Sequence, residues 1–264
     1  MRRHLLLDCA GDEIAATLDE AAGPVGLLVV TGGNETRAGA FAGQARLAAR
    51  LAAAGYPVLR FDRRGTGDSR GRNTGFTGSA DDVAAAMAAF RREQPHLKAV
   101  VGFGNCDAAS ALMLQGGAGC AALALANPWT FDTADEAPPP AALRQRYLGK
   151  LKNPREVLRL LTGGVSLTKL ARGLKQAAAT NTAPSGHATQ MQVAMAGFGG
   201  KVTYLLAAND RTAQAFMAAC PRTVGHWQVC DGAGHSFAGP AASDWLFNQL
   251  RSILEEQARQ FDVG

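Results

Sequence analysis

Charge is scarce in this chain of 264 residues: Asp, Glu, Lys and Arg make up 19% of it, and aromatic residues only 6%. A nucleic-acid binder concentrates basic residues and interleaves aromatics among them, so a net charge of +5 nominates no nucleic-acid partner. Cysteine is sparse as well. Cys9, Cys106, Cys120, Cys220 and Cys230 form no CxxC pair. An odd, unpatterned set points to reduced thiols in a cytoplasmic protein and excludes a disulfide scaffold. No group of His, Cys and acids has metal-ligand spacing. Gly200-Lys201 lacks the upstream glycine of a phosphate-binding loop, since Met195 holds that place. Neither a metal nor a cofactor is expected.

Long hydrophobic runs are missing too. Met1-Arg2-Arg3-His4 opens on positive charge, but the apolar stretch behind it is Leu5-Leu6-Leu7 alone, whereas a secretory signal needs about 7–15 residues. The uncharged run 108–131 is broken by Gly116-Gly117-Ala118-Gly119 into a helix-length and a strand-length piece. No membrane span is expected. What the chain does have is 47% hydrophobic residues, enough for a full core.

Hydrophobic periodicity orders that material. Leu5–Asp8 and Glu13–Leu18 flank Gly11-Asp12 as an antiparallel hairpin, and Val25–Val30 is a strand buried on both faces. Further strands are predicted at Tyr56–Phe61, Ala99–Phe103, Cys120–Ala126, Val202–Ala207 and His226–Val229. Helices are predicted at Ala40–Ala54, after a capping box at Ser79–Asp82, at Asp107–Gln115 and at Trp245–Gln260. Alternating strands and helices imply a mainly parallel sheet covered on both faces. Residues 129–200 carry no strand pattern and separate residues 1–128 from 201–264. They read as a helical insertion over the carboxyl edge of the sheet, with helical stretches around Ala141–Lys150 and Arg155–Leu161 and with nine Lys/Arg and one acid between 141 and 175. The basic face is a solvated lid surface or a surface that steers an anionic substrate.

The chemistry-bearing signal is Gly102-Phe103-Gly104-Asn105-Cys106-Asp107-Ala108-Ala109, between a buried strand and a helix. This is the context of a nucleophile elbow, with Cys where Ser is usual. Small residues at 104 and 108 suit a strained turn, and the helix after Cys106 offers its positive end to a thiolate. A glycine turn for a dinucleotide is the first rival, weakened by Asp107 beside an anionic pyrophosphate. An inert buried cysteine is the second. Companions favour the elbow. Gly32-Gly33 follows the Val25–Val30 strand, where an oxyanion hole needs a bare backbone N–H; Gly33 and Asp107 are the donors expected. His235 follows the last strand, whereas His4 and His96 precede strands, His226 begins one and His187 lies in the insertion; Asp210 follows Val202–Ala207. The order nucleophile, acid, base is that of one triad fold and of neither protease order. Asp62–Ser69 reads as a structural loop beneath the site.

Together these motifs resemble the α/β-hydrolase superfamily over nearly the whole chain, and within it the exosortase A system-associated hydrolases, type 1. The resemblance rests on Gly32-Gly33 with Arg37-Ala38-Gly39, on Leu59-Arg60-Phe61-Asp62-x-Arg64-Gly65-x-Gly67-Asp68-Ser69, and on Cys106-Asp107-Ala108-Ala109-Ser110. Asn127-Pro128-Trp129 and Asn209-Asp210-x-Thr212-Ala213 fit as well. Asn34-Glu35-Thr36 departs from the Pro-Gln-Tyr of that group, and Asn34, Glu35 and Arg37 are the expected substrate contacts. The resemblance implies a three-layer α/β-hydrolase with a helical cap, encoded beside exopolysaccharide and PEP-CTERM sorting genes. The expected activity is cleavage of an ester or thioester of a small-molecule or carrier-linked acyl substrate through Cys106, His235 and Asp210. An acyltransferase with the same triad and a non-catalytic binding protein on the same fold are the alternatives.

Overall fold

A computed structural model describes residues 1–131, 186–220 and 225–261. The strands are β1 (Arg2–Cys9), β2 (Asp12–Asp19), β3 (Val25–Val30), β4 (Val58–Phe61), β5 (Ala99–Asn105), β6 (Ala122–Ala126), β7 (Lys201–Ala207) and β8 (His226–Cys230). They form one sheet in the order β1-β2-β4-β3-β5-β6-β7-β8. The β1–β2 hairpin is antiparallel and joins β4 antiparallel; every pairing from β4 to β8 is parallel. The carboxyl ends of β3 to β8 therefore share one edge, where ligands of such sheets bind.

Side chains of β3 alternate between the two faces. Val25, Leu27 and Val29 pack with Leu47 and Leu51 of α1 (Gly43–Ala53) and Leu246, Leu250 and Leu254 of α6 (Pro240–Ala258). Leu28 and Val30 face the other way, toward Val83 and Phe90 of α2 (Ala80–Glu93), Leu112 and Met113 of α3 (Asp107–Leu114), Met191 of α4 (Gly186–Met195) and Phe216 of α5 (Arg211–Ala219). The result is a sheet between two helix layers, and burial on both faces explains why β3 reads as an unbroken apolar run. Each fully buried Leu or Phe contributes about 1.5–3 kcal/mol relative to exposure.

Three local expectations change. The helix foreseen from Ala40 begins at Gly43: Ala40–Ala42 is a separate 3-10 turn, and Phe41 and Ala42 have φ of 51° and 56°. The capping box at Ser79 does not form. Its hydroxyl donates to the Phe76 carbonyl at 2.8 Å, and Asp82 instead accepts from Arg64 Nε at 2.5 Å and the Cys9 thiol at 3.1 Å. A buried ion pair outcompetes a cap. His4 lies within β1 rather than before it, beside Thr17 at 3.1 Å. The uncharged run 108–131 is indeed divided, into α3 and β6. Among the described residues, no helix is long and apolar enough to cross a membrane. The predicted helices at Ala141–Lys150 and Arg155–Leu161, and the basic stretch that holds them, lie outside the described residues.

Candidate active site

Cys106 stands between β5 and α3 with φ 63° and ψ −126°, a backbone conformation costly for a residue with a Cβ. The turn is tight enough that a Cβ on Gly104 would lie 2.6 Å from the Ala108 carbonyl carbon. It lifts the Cys106 side chain to the carboxyl edge, where the thiol is partly exposed while the other four are buried. Its own N–H is held by the Ala126 carbonyl at 3.0 Å.

His235 and Asp210 come to the same edge. Asp210 Oδ1 lies 3.0 Å from His235 Nδ1, and the Cys106 thiol is hydrogen-bonded to the imidazole. The other oxygen of Asp210 accepts the Ala213 N–H at 3.1 Å, so one carboxylate both caps α5 and fixes the histidine ring. These bonds push the His235 pKa up to about 10: the Asp210 hydrogen bond is the largest cause and the Cys106 bond the next, against an opposing effect of burial. The imidazole thus holds a proton through neutral pH. Desolvation pushes Cys9 and Cys120 up to about 12 and also raises Cys220 and Cys230.

The ring is aimed by a network that the sequence motifs left unassigned. Asn127 is fully buried, at φ 42°. Its Nδ2 donates to the His235 carbonyl at 3.1 Å and to Asn105 Oδ1 at 2.9 Å, and its Oδ1 accepts the Ala207 N–H at 2.8 Å. Asn105 Nδ2 donates to the same His235 carbonyl at 3.1 Å. One buried amide therefore ties β6, β7 and the residue before Cys106 to the His235 loop. The sequence signals are a polar residue ending an Ala/Leu strand and the Asn127-Pro128-Trp129 motif, neither of which assigns a role to the amide.

The expected oxyanion donors behave differently from each other. The Asp107 N–H, first in α3, has no acceptor among the described residues. The Gly33 N–H is already taken by the Asp107 carboxylate at 2.6 Å. Gly32 allows the close approach, since a Cβ there would meet the Asn105 carbonyl at 2.7 Å. Beneath them lies Arg63, almost fully buried, whose Nη2 donates to the Gly33 carbonyl at 2.5 Å and reaches Asp107 at 3.3 Å. Its Nε and Nη1 have no partner among the described residues.

The expected substrate contacts divide too. Glu35 remains beside the site, its carboxyl raised in pKa first by desolvation and sensing both His235 and Asp107. Asn34 accepts from Asn73 Nδ2 at 3.0 Å. Arg37 is spent on the loop itself: its guanidinium engages Asp62, Asp68 at 2.8 Å and Thr17 at 3.0 Å, so it braces the backbone instead of facing substrate. Asp62 holds the Arg37 N–H at 2.5 Å and the Asp68 N–H at 3.1 Å, the structural role read for that loop. His96 and His226 are exposed at the starts of strands, and His187 contacts the Phe131 carbonyl at 3.2 Å. Among the described residues no group of His, Cys, Asp and Glu could hold a metal.

No curated protein matches the sequence. Solved structures do match the fold. An esterase from Pyrococcus furiosus is similar at 12% identity and a TM-score of 0.60, over 97% of this chain and 91% of that one. The alpha/beta hydrolase GrgF from Penicillium gives 15% and 0.60 over 97% and 96%, and a proline iminopeptidase from Mycobacterium smegmatis gives 16% and 0.58 over 99% of both chains. The sequence itself matches a family model across residues 27–248, which span the elbow, Asp210 and His235, and on that match the chain belongs to the alpha/beta hydrolase family.

Proposed function

We propose that the protein cleaves an ester or thioester by covalent catalysis, with Cys106 as nucleophile, His235 as proton carrier and Asp210 as the acid that orients it. The observation that carries this reading is Cys106 on a strained strand–helix turn, hydrogen-bonded to an imidazole that Asp210 holds at 3.0 Å. With its proton held on His235, the Cys106 sulfur attacks the acyl carbon, and the Asp107 N–H receives the developing oxyanion. Protonated His235 gives its proton to the leaving oxygen or sulfur as that bond to the acyl carbon breaks. Water then attacks the thioester, His235 takes one of its protons, and Cys106 leaves with the acid released. An esterase and other hydrolases among the similar structures support hydrolysis as the reaction class. The motifs at Gly32-Gly33, Asp62–Ser69 and Cys106–Ser110 support a role beside exopolysaccharide and exosortase systems, on a small or carrier-linked acyl substrate, and the odd, unpatterned cysteines support a cytoplasmic one.

Intact-mass measurement after mixing with p-nitrophenyl butyrate tests the chemistry. A butyryl adduct on the Cys106 peptide, absent from Cys106→Ala, is the expected result. Ester turnover in Cys106→Ala equal to that of the wild type would overturn it.

A further inference from the structure

A cavity of about 400 Å³ opens at the carboxyl edge of the sheet, and residues adjoining both reacting groups line it. Asn105 immediately precedes Cys106, and Ser236 immediately follows His235. One wall is α1 with the turn before it; the other is the His235 loop with the start of α6. The buried apolar part of the lining includes Leu47, Phe103, Phe237 and Leu246. Glu35 and Gln44 supply much of its polar part, joined to each other at 3.3 Å.

Phe41, which also lines the cavity, breaks two local rules at once. It is 83% exposed, and it and Ala42 are consecutive non-glycine residues in the left-handed region. A large ring held on a strained turn at the mouth of a cavity offers an apolar surface to whatever enters it. Charge narrows the choice further. The acids nearest Cys106 are matched, Asp107 by Arg63 and Asp210 by His235. Glu35 has no ion-pair partner among the described residues: it is joined to the neutral Gln44 and the Ala40 N–H and feels the charge of His235 only through space, while Arg46 of the lining is exposed to water. An acyl group ending in a carboxylate would meet Glu35. Size narrows it again, since this volume lies near the bottom of the roughly 300–1,000 Å³ range of ligand pockets and is small for a long lipid tail.

We propose that this cavity is the acyl pocket of the enzyme and takes a neutral, medium-length alkyl or arylalkyl acyl group, with Phe41 closing over its outer side. The inference rests on the acyl-transfer reading above. It makes Glu35 and Phe41 specificity-determining residues.

Gly43 provides the test. It lines the cavity, a Cβ on it would meet nothing within 4 Å, and its φ of −62° and ψ of −46° suit any residue. Gly43→Leu fills the pocket from a wall outside the triad. Two quantities are compared between it and the wild type: kcat/KM over p-nitrophenyl esters from acetate to laurate, and the thermal shift given by 2-octanone, a neutral ketone that cannot be hydrolysed. The wild type should favour hexanoate to octanoate. Gly43→Leu should lower the octanoate-to-acetate ratio about tenfold or more, in the range of pocket discrimination over methylene groups. It should also abolish most of the 2-octanone shift, and Phe41→Ala should lower the same ratio. An unchanged ratio in Gly43→Leu, an equal 2-octanone shift in both proteins, or no shift in either overturns the proposal. If no ester is cleaved while 2-octanone stabilises the wild type alone, the pocket stands and the acyl-transfer reading falls.

Discussion

The carboxylate of Asp107 accepts the backbone N–H of Gly33 at 2.6 Å, so the residue after the nucleophile occupies an amide that an oxyanion would use. Arg63 beneath the pair holds the other side of the same peptide through the Gly33 carbonyl. The loop is positioned, but one of its donors faces a negative charge. Asp107→Asn keeps an acceptor for Gly33 and removes that charge, leaving Arg63 to favour the oxyanion. The acylation rate should rise about tenfold, corresponding to ~1.4 kcal/mol of transition-state stabilisation. Thermal stability should fall, because Arg63 loses its only ion-pair partner among the described residues. Single-turnover acylation with p-nitrophenyl butyrate measures the first effect; a rate more than tenfold below wild type would mean that the carboxylate is required.

Thiol reactivity should single out one residue. Burial raises the pKa of Cys9, Cys120, Cys220 and Cys230, whereas Cys106 is partly exposed at a helix N-terminus beside a protonated imidazole. At limiting iodoacetamide and neutral pH, Cys106 should alkylate at least about tenfold faster than any other. Comparable labelling of a second cysteine, read by peptide mass mapping, contradicts the assignment.

The two roles of Asp210 can be separated. Asp210→Asn retains an oxygen for the Ala213 N–H but presents an amide to the wrong face of the ring. Turnover should drop about 10³–10⁴-fold with little change in Tm. Asp210→Ala should lose a similar factor and also about 1 kcal/mol of cap stability. Equal melting of both variants would count against a separate capping role.

Much of this was legible in the sequence because the signals were local. Continuous apolar runs marked β3, β5 and β6, and small residues at 104 and 108 marked a strained turn around Cys106. Asp210 and His235 followed from chain order alone. What escaped notice depends on contacts distant in sequence. Asn127 reaches residues 105, 207 and 235, and the Asn127-Pro128-Trp129 motif marks the position without naming those partners. Ser79 had the letters of a cap, but Asp82 was drawn to Arg64 and Cys9. Arg37 looked free to bind substrate until Asp62 and Asp68 came to it through the fold. The helix Arg211–Ala219 carries little signal of its own, since its nine residues show only a short amphipathic stretch.

Asn127 should therefore be a positioning residue of measurable weight. Asn127→Ala leaves the Ala207 N–H without its acceptor and removes one of the two amide donors to the His235 carbonyl. A buried unsatisfied amide costs about 1–3 kcal/mol, and Tm should fall accordingly. Beyond stability, kcat should fall while KM for a small ester changes little, because the ring loses aim and the pocket does not. Asn105→Ala, which leaves the Asn127 bond to His235 in place, should be milder in kcat. Parallel losses in kcat and KM, or a wild-type kcat in Asn127→Ala, would reduce the network to a structural one.

The proton on His235 has consequences for both activity and stability. Asp210, and after it Cys106, raises the imidazole from its ordinary 6.5 to about 10. A group whose pKa is higher in the folded state stabilises the fold fully below the unfolded value, and that contribution fades as pH rises toward the folded one. The Tm advantage of wild type over His235→Gln should thus be greatest below pH 6.5 and shrink between about 6.5 and 10. Acylation should show no inflection near 6.5 and an upper limb near 10, where the imidazole can no longer protonate the leaving group. Stopped-flow acylation across this range, with melting curves of both proteins in the same buffers, measures each part. A single activity limb near 6.5, together with a Tm difference that does not vary with pH, would mean that the ring is neutral in the resting enzyme and acts first as a base.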